Sequence, residues 1–299
     1  MTEMTTTSAL ELRVAGMMRS GNHAIIEWIL EQHRNKSSVF LNNVAHGPQD
    51  PYRTADRILV NGSEFEGDID ECRKSKKNLL VYSYEDRGDS PIQSSLIRSA
   101  FSEEFEDVRV QFLGSSARAV DVLVVRDPLN CFASRLRQYD LGRTGAASFE
   151  PEMVRDRWID FAEYCTGAMS NDNPKQIVIP YNRWLTDPSF RRSLSRSLAG
   201  TYSDATLAST SDFGGGSSFE RRRLPWGQLA SKWRRISSPR AWRSLPGIIR
   251  SQISPKKPGK QTLSRWRGFE NDSRFAVMTE NPRVFELSRA IFGDIYGSA

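Results

Sequence analysis

The chain is poor in several things that would fix its class at once. It has three cysteines in 299 residues, Cys72, Cys131 and Cys165. They are too few and too scattered for a disulfide framework or a zinc site, which points to a reducing, cytoplasmic setting. No run of apolar residues is long enough to span a bilayer as a helix. The first dozen residues are polar and lack the apolar stretch of a secretory leader. No repeat recurs at the spacing of a solenoid or propeller. What is there suits a globular chain: 38% hydrophobic and 10% aromatic residues exclude wholesale disorder.

Acidic residues are missing from one long stretch. Residues 221–267 hold 14 Lys and Arg and no Asp or Glu. The formal charge of +6 therefore belongs to this block, because the rest of the chain has 28 basic against 36 acidic residues. Such a block suits an anion or an anionic surface. Trp226, Trp233, Trp242 and Trp266 interleave with the arginines, a mixture that could grip sugars by stacking, lie on an anionic membrane or hold single-stranded nucleic acid. The bland alternative is a solvated loop.

The first two hundred residues alternate short β-rich runs with helical stretches. Strands are expected at Leu12–Met17, Ser38–Asn43, Asn78–Tyr84, Val120–Val125 and Gln176–Pro180. Helices are expected over about 22–32, from Pro128 to about 139, over 151–169 and from Pro188 to about 199, with proline in the first turn of the last three. This alternation predicts an α/β fold, a three-layer sandwich around a central, mostly parallel sheet of P-loop NTPase-like type. One domain is expected over 1–299, with a basic, proline-containing excursion at about 221–262 and a helical part over 263–299.

The most informative segment is Val14-Ala-Gly-Met-Met-Arg-Ser-Gly-Asn-His-Ala-Ile-Ile-Glu-Trp28, a strand, a glycine turn and a helix. Backbone N–H groups at such a turn form an anion site with the helix N-terminus. Gly16 and Gly21 have the GxxxxG spacing of a nucleotide P-loop. The Lys-Ser/Thr pair that should follow is replaced by Asn22 and His23, so the hydroxyl that would hold Mg²⁺ is missing. The cation has moved to Arg19, inside the turn. A sulfuryl group carries less charge than a terminal phosphate, so one cation and backbone donors suit it. The strand VDVLVV then runs into Arg126-Asp-Pro-Leu-Asn-Cys-Phe-Ala-Ser134. It places a guanidinium at a strand's C-terminal end and a hydroxyl about two turns into the next helix, a pair that can hold one phosphate.

Together the two segments resemble the sulfotransferases that use 3′-phosphoadenosine 5′-phosphosulfate (PAPS). GMMRSGNHAIIEWI looks like that family's 5′-phosphosulfate loop and VVRDPLNCFASR like its 3′-phosphate strand and helix, in the family's order. Ile179-Pro-Tyr-Asn-Arg-Trp-Leu-Thr-Asp-Pro188 and Leu263-Ser-Arg-Trp266 are also similar to bacterial members. The resemblance implies PAPS as co-substrate and no metal. It implies Arg19 on the phosphosulfate and at the bridging oxygen, with Ser20, Gly21, Asn22 and His23 as turn donors. Arg126 and Ser134 would hold the 3′ phosphate, and Tyr181 would lie near the adenine. Many members have Lys where this chain has Arg19, and Thr at Asn22 or His23. The family's late Arg-Lys-Gly loop is not evident. Gly215 and Ser217, in Gly214-Gly-Gly-Ser-Ser218, could substitute, as could a plain linker.

Transfer to a hydroxyl or amine needs a base. In the resembling family it follows the strand between the phosphate motifs, which here ends in Glu85 and Asp86. Alternation puts these two on opposite faces, so only one should enter the site. His46, in the loop after the second strand, is the third candidate. The expected acceptor is a glycan, glycolipid or small molecule, with an acidic one seated on the basic block. No nucleic-acid partner is expected, and the block at 221–267 could touch a membrane. Two rivals stay open: a P-loop-like kinase or NTPase with an aberrant loop, and a non-catalytic anion- or membrane-binding protein on the same fold.

Overall fold

The computed structural model describes residues 6–45, 49–86, 103–142, 149–171, 173–208 and 263–296. His46, Gly215, Ser217 and the basic stretch 221–262 lie outside them.

In chain order the elements are β1 (Thr6–Gly16), α1 (Asn22–Gln32), β2 (Ser38–Asn42), α2 (Pro51–Thr54), β3 (Arg57–Val60), β4 (Ser63–Glu64), α3 (Ile69–Lys74) and β5 (Lys77–Tyr84). There follow α4 (Glu103–Leu113), β6 (Ser115–Ser116), β7 (Ala119–Val125), α5 (Pro128–Asp140), α6 (Pro151–Ser170), β8 (Gln176–Pro180), α7 (Tyr181–Thr186), α8 (Pro188–Ser197), α9 (Ser273–Thr279) and α10 (Pro282–Phe292).

The sheet has eight strands in the order β4-β3-β2-β5-β1-β7-β8, with β6 pairing on β1. The β2-β5-β1-β7-β8 core is parallel throughout; only β3 and β4 run antiparallel, at one edge. Parallel strands buried on both faces need apolar side chains both ways, and β7 (AVDVLVV) and β5 (KNLLVYSY) supply them. One face packs Leu12, Val14, Val81 and Val122 against Ile25 and Ile29 of α1, Trp184 of α7 and Leu194 of α8. The other packs Ala15, Leu80, Tyr82 and Leu123 against Phe132 of α5, Trp158 of α6, Met278 of α9 and Leu287 of α10. The result is the three-layer, mostly parallel α/β sandwich expected from the alternation.

The connection after β1 leaves on the α1 face and the connection after β7 leaves on the α5–α6 face. Between these neighbouring strands the path of the chain diverges, and there a crevice opens beyond the strands' C-terminal ends. Register brings four ends together: Ala15 pairs with Tyr84, Gly16 with Val124 and Val125 with Pro180. The segments that follow these four ends therefore start side by side at one edge of the sheet.

Candidate active site

The turn after β1 is shaped by what its glycines leave out. A Cβ on Gly16 would lie 2.3 Å from Asn22 Oδ1 and 2.7 Å from the Val124 carbonyl. A Cβ on Gly21 would lie 2.3 Å from the Tyr181 ring, and Gly21 has φ +93°. Gly21 is also the N-cap of α1 and has no side-chain cap. Asp50, Asp68, Asp127, Asp187, Asp272 and Asn281 cap six other helices with their side chains. The start of α1 thus presents its first-turn amides to the crevice without a side-chain acceptor over them, the condition for binding an anion.

Arg19 sits in the left-handed region at φ 73°. An L-residue is strained there, by roughly 1–3 kcal/mol at sites of this kind. The strained backbone turns the Arg19 carbonyl to accept from Arg126 Nη1 at 3.0 Å and aims its guanidinium at Ser134, with Nε 3.2 Å from Oγ. Arg126 is buried, its guanidinium carbon 5.1 Å from the centre of the Tyr181 ring. Its Nε has no hydrogen-bond partner among the described residues. Arg19, Arg126, Ser134 and Tyr181, predicted from three separate stretches of sequence, thus converge. The Arg19 guanidinium lies on the Ser134 side of the turn.

Glu85 and Asp86 part company as alternation requires. Glu85 turns toward α1, where its Oε1 accepts from Asn22 Nδ2 at 3.0 Å and lies 3.8 Å from His23 Nδ1. Asp86 turns to the other face. It accepts both terminal nitrogens of Arg135 at 2.9 and 3.0 Å, lies 3.7 Å from Arg157 and accepts the Met18 backbone N–H. Burial opposes the Arg135 cation, but the Asp86 charge and hydrogen bonds outweigh it and raise the guanidinium pKa. Asp86 is thus held as a strut under the turn.

Asn22 does more than supply a turn amide. Its Nδ2 donates to the carbonyls of Gly16 and Met17 as well as to Glu85, tying the turn to the end of β5. Ser20 is buried and closes the turn with its N–H on the Met17 carbonyl at 3.1 Å. His23 points its ring between Glu85 and Asn42, with Nε2 3.0 Å from Asn42 Oδ1. Asn42, Arg135 and Arg157 had no signal in the sequence, since their partners lie far along the chain. The other described histidine, His33, lies near the end of α1, where its sequence position suits a complement to the helix dipole. It is buried instead, and burial, and then Lys36, lower its pKa.

A cavity of about 220 Å³ lies at the far end of α1, lined by Gln32, His33, Lys36, Thr201 and Ser203 among others. None of the residues around the α1 turn, Arg126 or Glu85 lines it.

No family model and no curated protein matches the chain. Solved structures do. The sulfotransferase domain of a Synechococcus olefin synthase is 10% identical over 95% of both chains, with a TM-score of 0.47. The sulfotransferase domain from the curacin biosynthetic pathway is 12% identical over 92% of this chain and 98% of its own, with a TM-score of 0.41. Mouse sulfotransferase SULT7A1, complexed with PAP, is 9% identical over 90% of this chain and 88% of its own, with a TM-score of 0.37. The likeness is loose at these scores, and the functional reading rests on the residues of the site.

Proposed function

We propose that the chain is a sulfotransferase that moves a sulfuryl group from PAPS to an acceptor hydroxyl. The observation that carries the reading is that Arg19 joins the two segments, its guanidinium on Ser134 and its carbonyl accepting from Arg126, beside an uncapped helix start that has Asn22 and His23 where a nucleotide P-loop has its Lys-Ser/Thr pair. The donor set fits an anionic nucleotide: two guanidiniums, a hydroxyl, first-turn amides and a buried Nε on Arg126 with a hydrogen still to give. Arg126 and Ser134 would hold a 3′ phosphate, the α1 turn a 5′ phosphosulfate, and Tyr181 a face of the base.

PAPS supplies an activated sulfuryl group with PAP (3′-phosphoadenosine 5′-phosphate) as leaving group. The acceptor oxygen forms a bond to sulfur as the bond from sulfur to the phosphate oxygen breaks. The electron pair of the broken bond stays on that oxygen, where the Arg19 cation stabilises it. The acceptor's proton goes to Glu85, whose carboxylate Asn22 orients. An acidic glycan or glycolipid is the acceptor class that the basic stretch 221–267 favours, and deleting 225–260 should reduce acceptor use while sparing donor binding.

The test is thermal unfolding with PAP, with ATP plus Mg²⁺ and with AMP. A ligand at 100 times its Kd adds about 2.7 kcal/mol. A rise selective for PAP and lost in Arg126→Met supports the reading. A larger response to ATP plus Mg²⁺ would return the kinase-like alternative, and PAP binding without transfer to any acceptor would favour a non-catalytic binder.

A further inference from the structure

His23 stands where a turn donor was expected, yet its ring belongs to a chain of side chains reaching away from the turn. The Asn43 backbone N–H donates to Ser83 Oγ at 2.8 Å. That leaves the Ser83 hydroxyl hydrogen to donate to Asn42 Oδ1 at 3.5 Å. Asn42 Oδ1 is thus an acceptor, so the His23 Nε2 facing it at 3.0 Å must carry a hydrogen. In the neutral imidazole the lone pair is then on Nδ1, and Nδ1 is the atom 3.8 Å from Glu85 Oε1. A lone pair facing a carboxylate oxygen leaves room for one proton between them. We propose that His23 and Glu85 share that proton, His23 taking over at Nδ1 the proton that Glu85 removes from the acceptor.

The relay rests on Glu85 being the base of the sulfotransferase reading. The step balances: the carboxylic acid formed on Glu85 loses its proton to Nδ1, giving a carboxylate and an imidazolium that hydrogen-bonds Asn42 through Nε2. The His23 side chain is 20% exposed against 11% for Glu85, so the imidazolium can return the proton to water. At 3.8 Å the pair must close by about 0.8 Å to reach hydrogen-bond distance, as catalytic contacts commonly do once a substrate is bound. The charged groups around His23 are Glu85, with Arg135 behind it, Asp56 beyond β2, held by Asn43 Nδ2, and Glu27 one turn further along α1.

Nitrogen-15 NMR of imidazole-labelled protein tests the pair directly. The chain has three histidines, and His33→Gln and His46→Gln variants assign the signals. The neutral form of His23 should be the Nε2–H tautomer, and Glu85→Gln should shift its Nδ1 nitrogen-15 resonance. Asn42→Ala should mix the two tautomers. A Nδ1–H tautomer, or a Nδ1 resonance indifferent to Glu85→Gln, overturns the pair. For the relay, His23→Gln should keep the PAP-induced stabilisation but lose the acid limb of the kcat/KM profile that an imidazole places around neutrality. A profile of unchanged shape in that variant overturns the relay. An intact pair in a protein that transfers no sulfuryl group would retire the sulfotransferase reading instead.

Discussion

Replacing Arg135 by Met should weaken the whole turn from beneath, although Arg135 is not among the residues expected to touch a phosphate. Both Arg135 and Asp86 are 3% exposed, and their two parallel hydrogen bonds are 2.9 and 3.0 Å long. Removing one partner of a buried pair leaves the other charge stranded, at a cost of roughly 3–5 kcal/mol. Arg157, 3.7 Å from the same carboxylate, keeps part of the charge balanced, so the expected loss is at the low end, about 3 kcal/mol. Unfolding entropy near 2.1 cal/mol/K per residue gives about 0.6 kcal/mol/K for a chain of this length, so Tm should fall by about 5 °C. The double variant Arg135→Met, Asp86→Asn removes the stranded charge and should be more stable than Arg135→Met alone. Asp86 also accepts the Met18 N–H, so the single variant should bind PAP more weakly without touching it. Calorimetry and urea unfolding measure the stability terms. A loss under about 1 kcal/mol, the size of an exposed pair, or a double variant no better than the single, would refute the reasoning.

Arg19→Gly exchanges a strained arginine for the residue its φ of 73° favours. Transfer should be lost while Tm holds or rises by an amount equivalent to about 1 kcal/mol; a clear fall in Tm would show that the side chain's contacts outweigh the strain. Gly21→Ala meets both a positive φ and the Tyr181 ring at 2.3 Å, so PAP stabilisation should disappear, and titration calorimetry showing unchanged affinity would contradict this geometry. His33 holds its proton less tightly folded than unfolded, because burial, then Lys36, outweigh a backbone hydrogen bond at Leu198. Its contribution to stability is therefore complete above about pH 6.5 and is lost as pH falls through the lower folded value. His33→Gln should flatten that part of the stability profile, and an unaltered slope would assign it to other groups.

Much of the sheet was legible because its strands are apolar on both faces, and the helices opened by Pro128, Pro151 and Pro188 begin where the sequence places them. The expected first strand, from Leu12, falls short by six residues. Thr6 to Glu11 read as polar, yet Glu11 is buried with Tyr82, Arg109 and Ser116 as partners, the last two about a hundred residues away. The β3–β4 hairpin carried its own signal in Asn61-Gly62, whose φ of 52° and 81° suit a tight hairpin turn; the flanking runs were too short to stand out as strands. In the site, spacing alone located the turn and the Arg126–Ser134 pair, and alternation separated Glu85 from Asp86. The direction in which Asp86 turns depends on Arg135 and Arg157, contributed by two different helices, and no local pattern announces that.

The three thiols have a consequence of another kind. All are buried and free. Burial pushes Cys131 up to about 11, against the pull of Arg135 and Arg126, and raises Cys165 further. A thiol that is both hidden and protonated does not react with a disulfide or maleimide reagent until the chain around it opens. Cys131 lies in α5, Cys165 in α6 and Cys72 in α3, beside Tyr52 of α2. Their order of labelling is a clock with three hands, recording which part of the molecule opens first and whether an occupied crevice slows any of them.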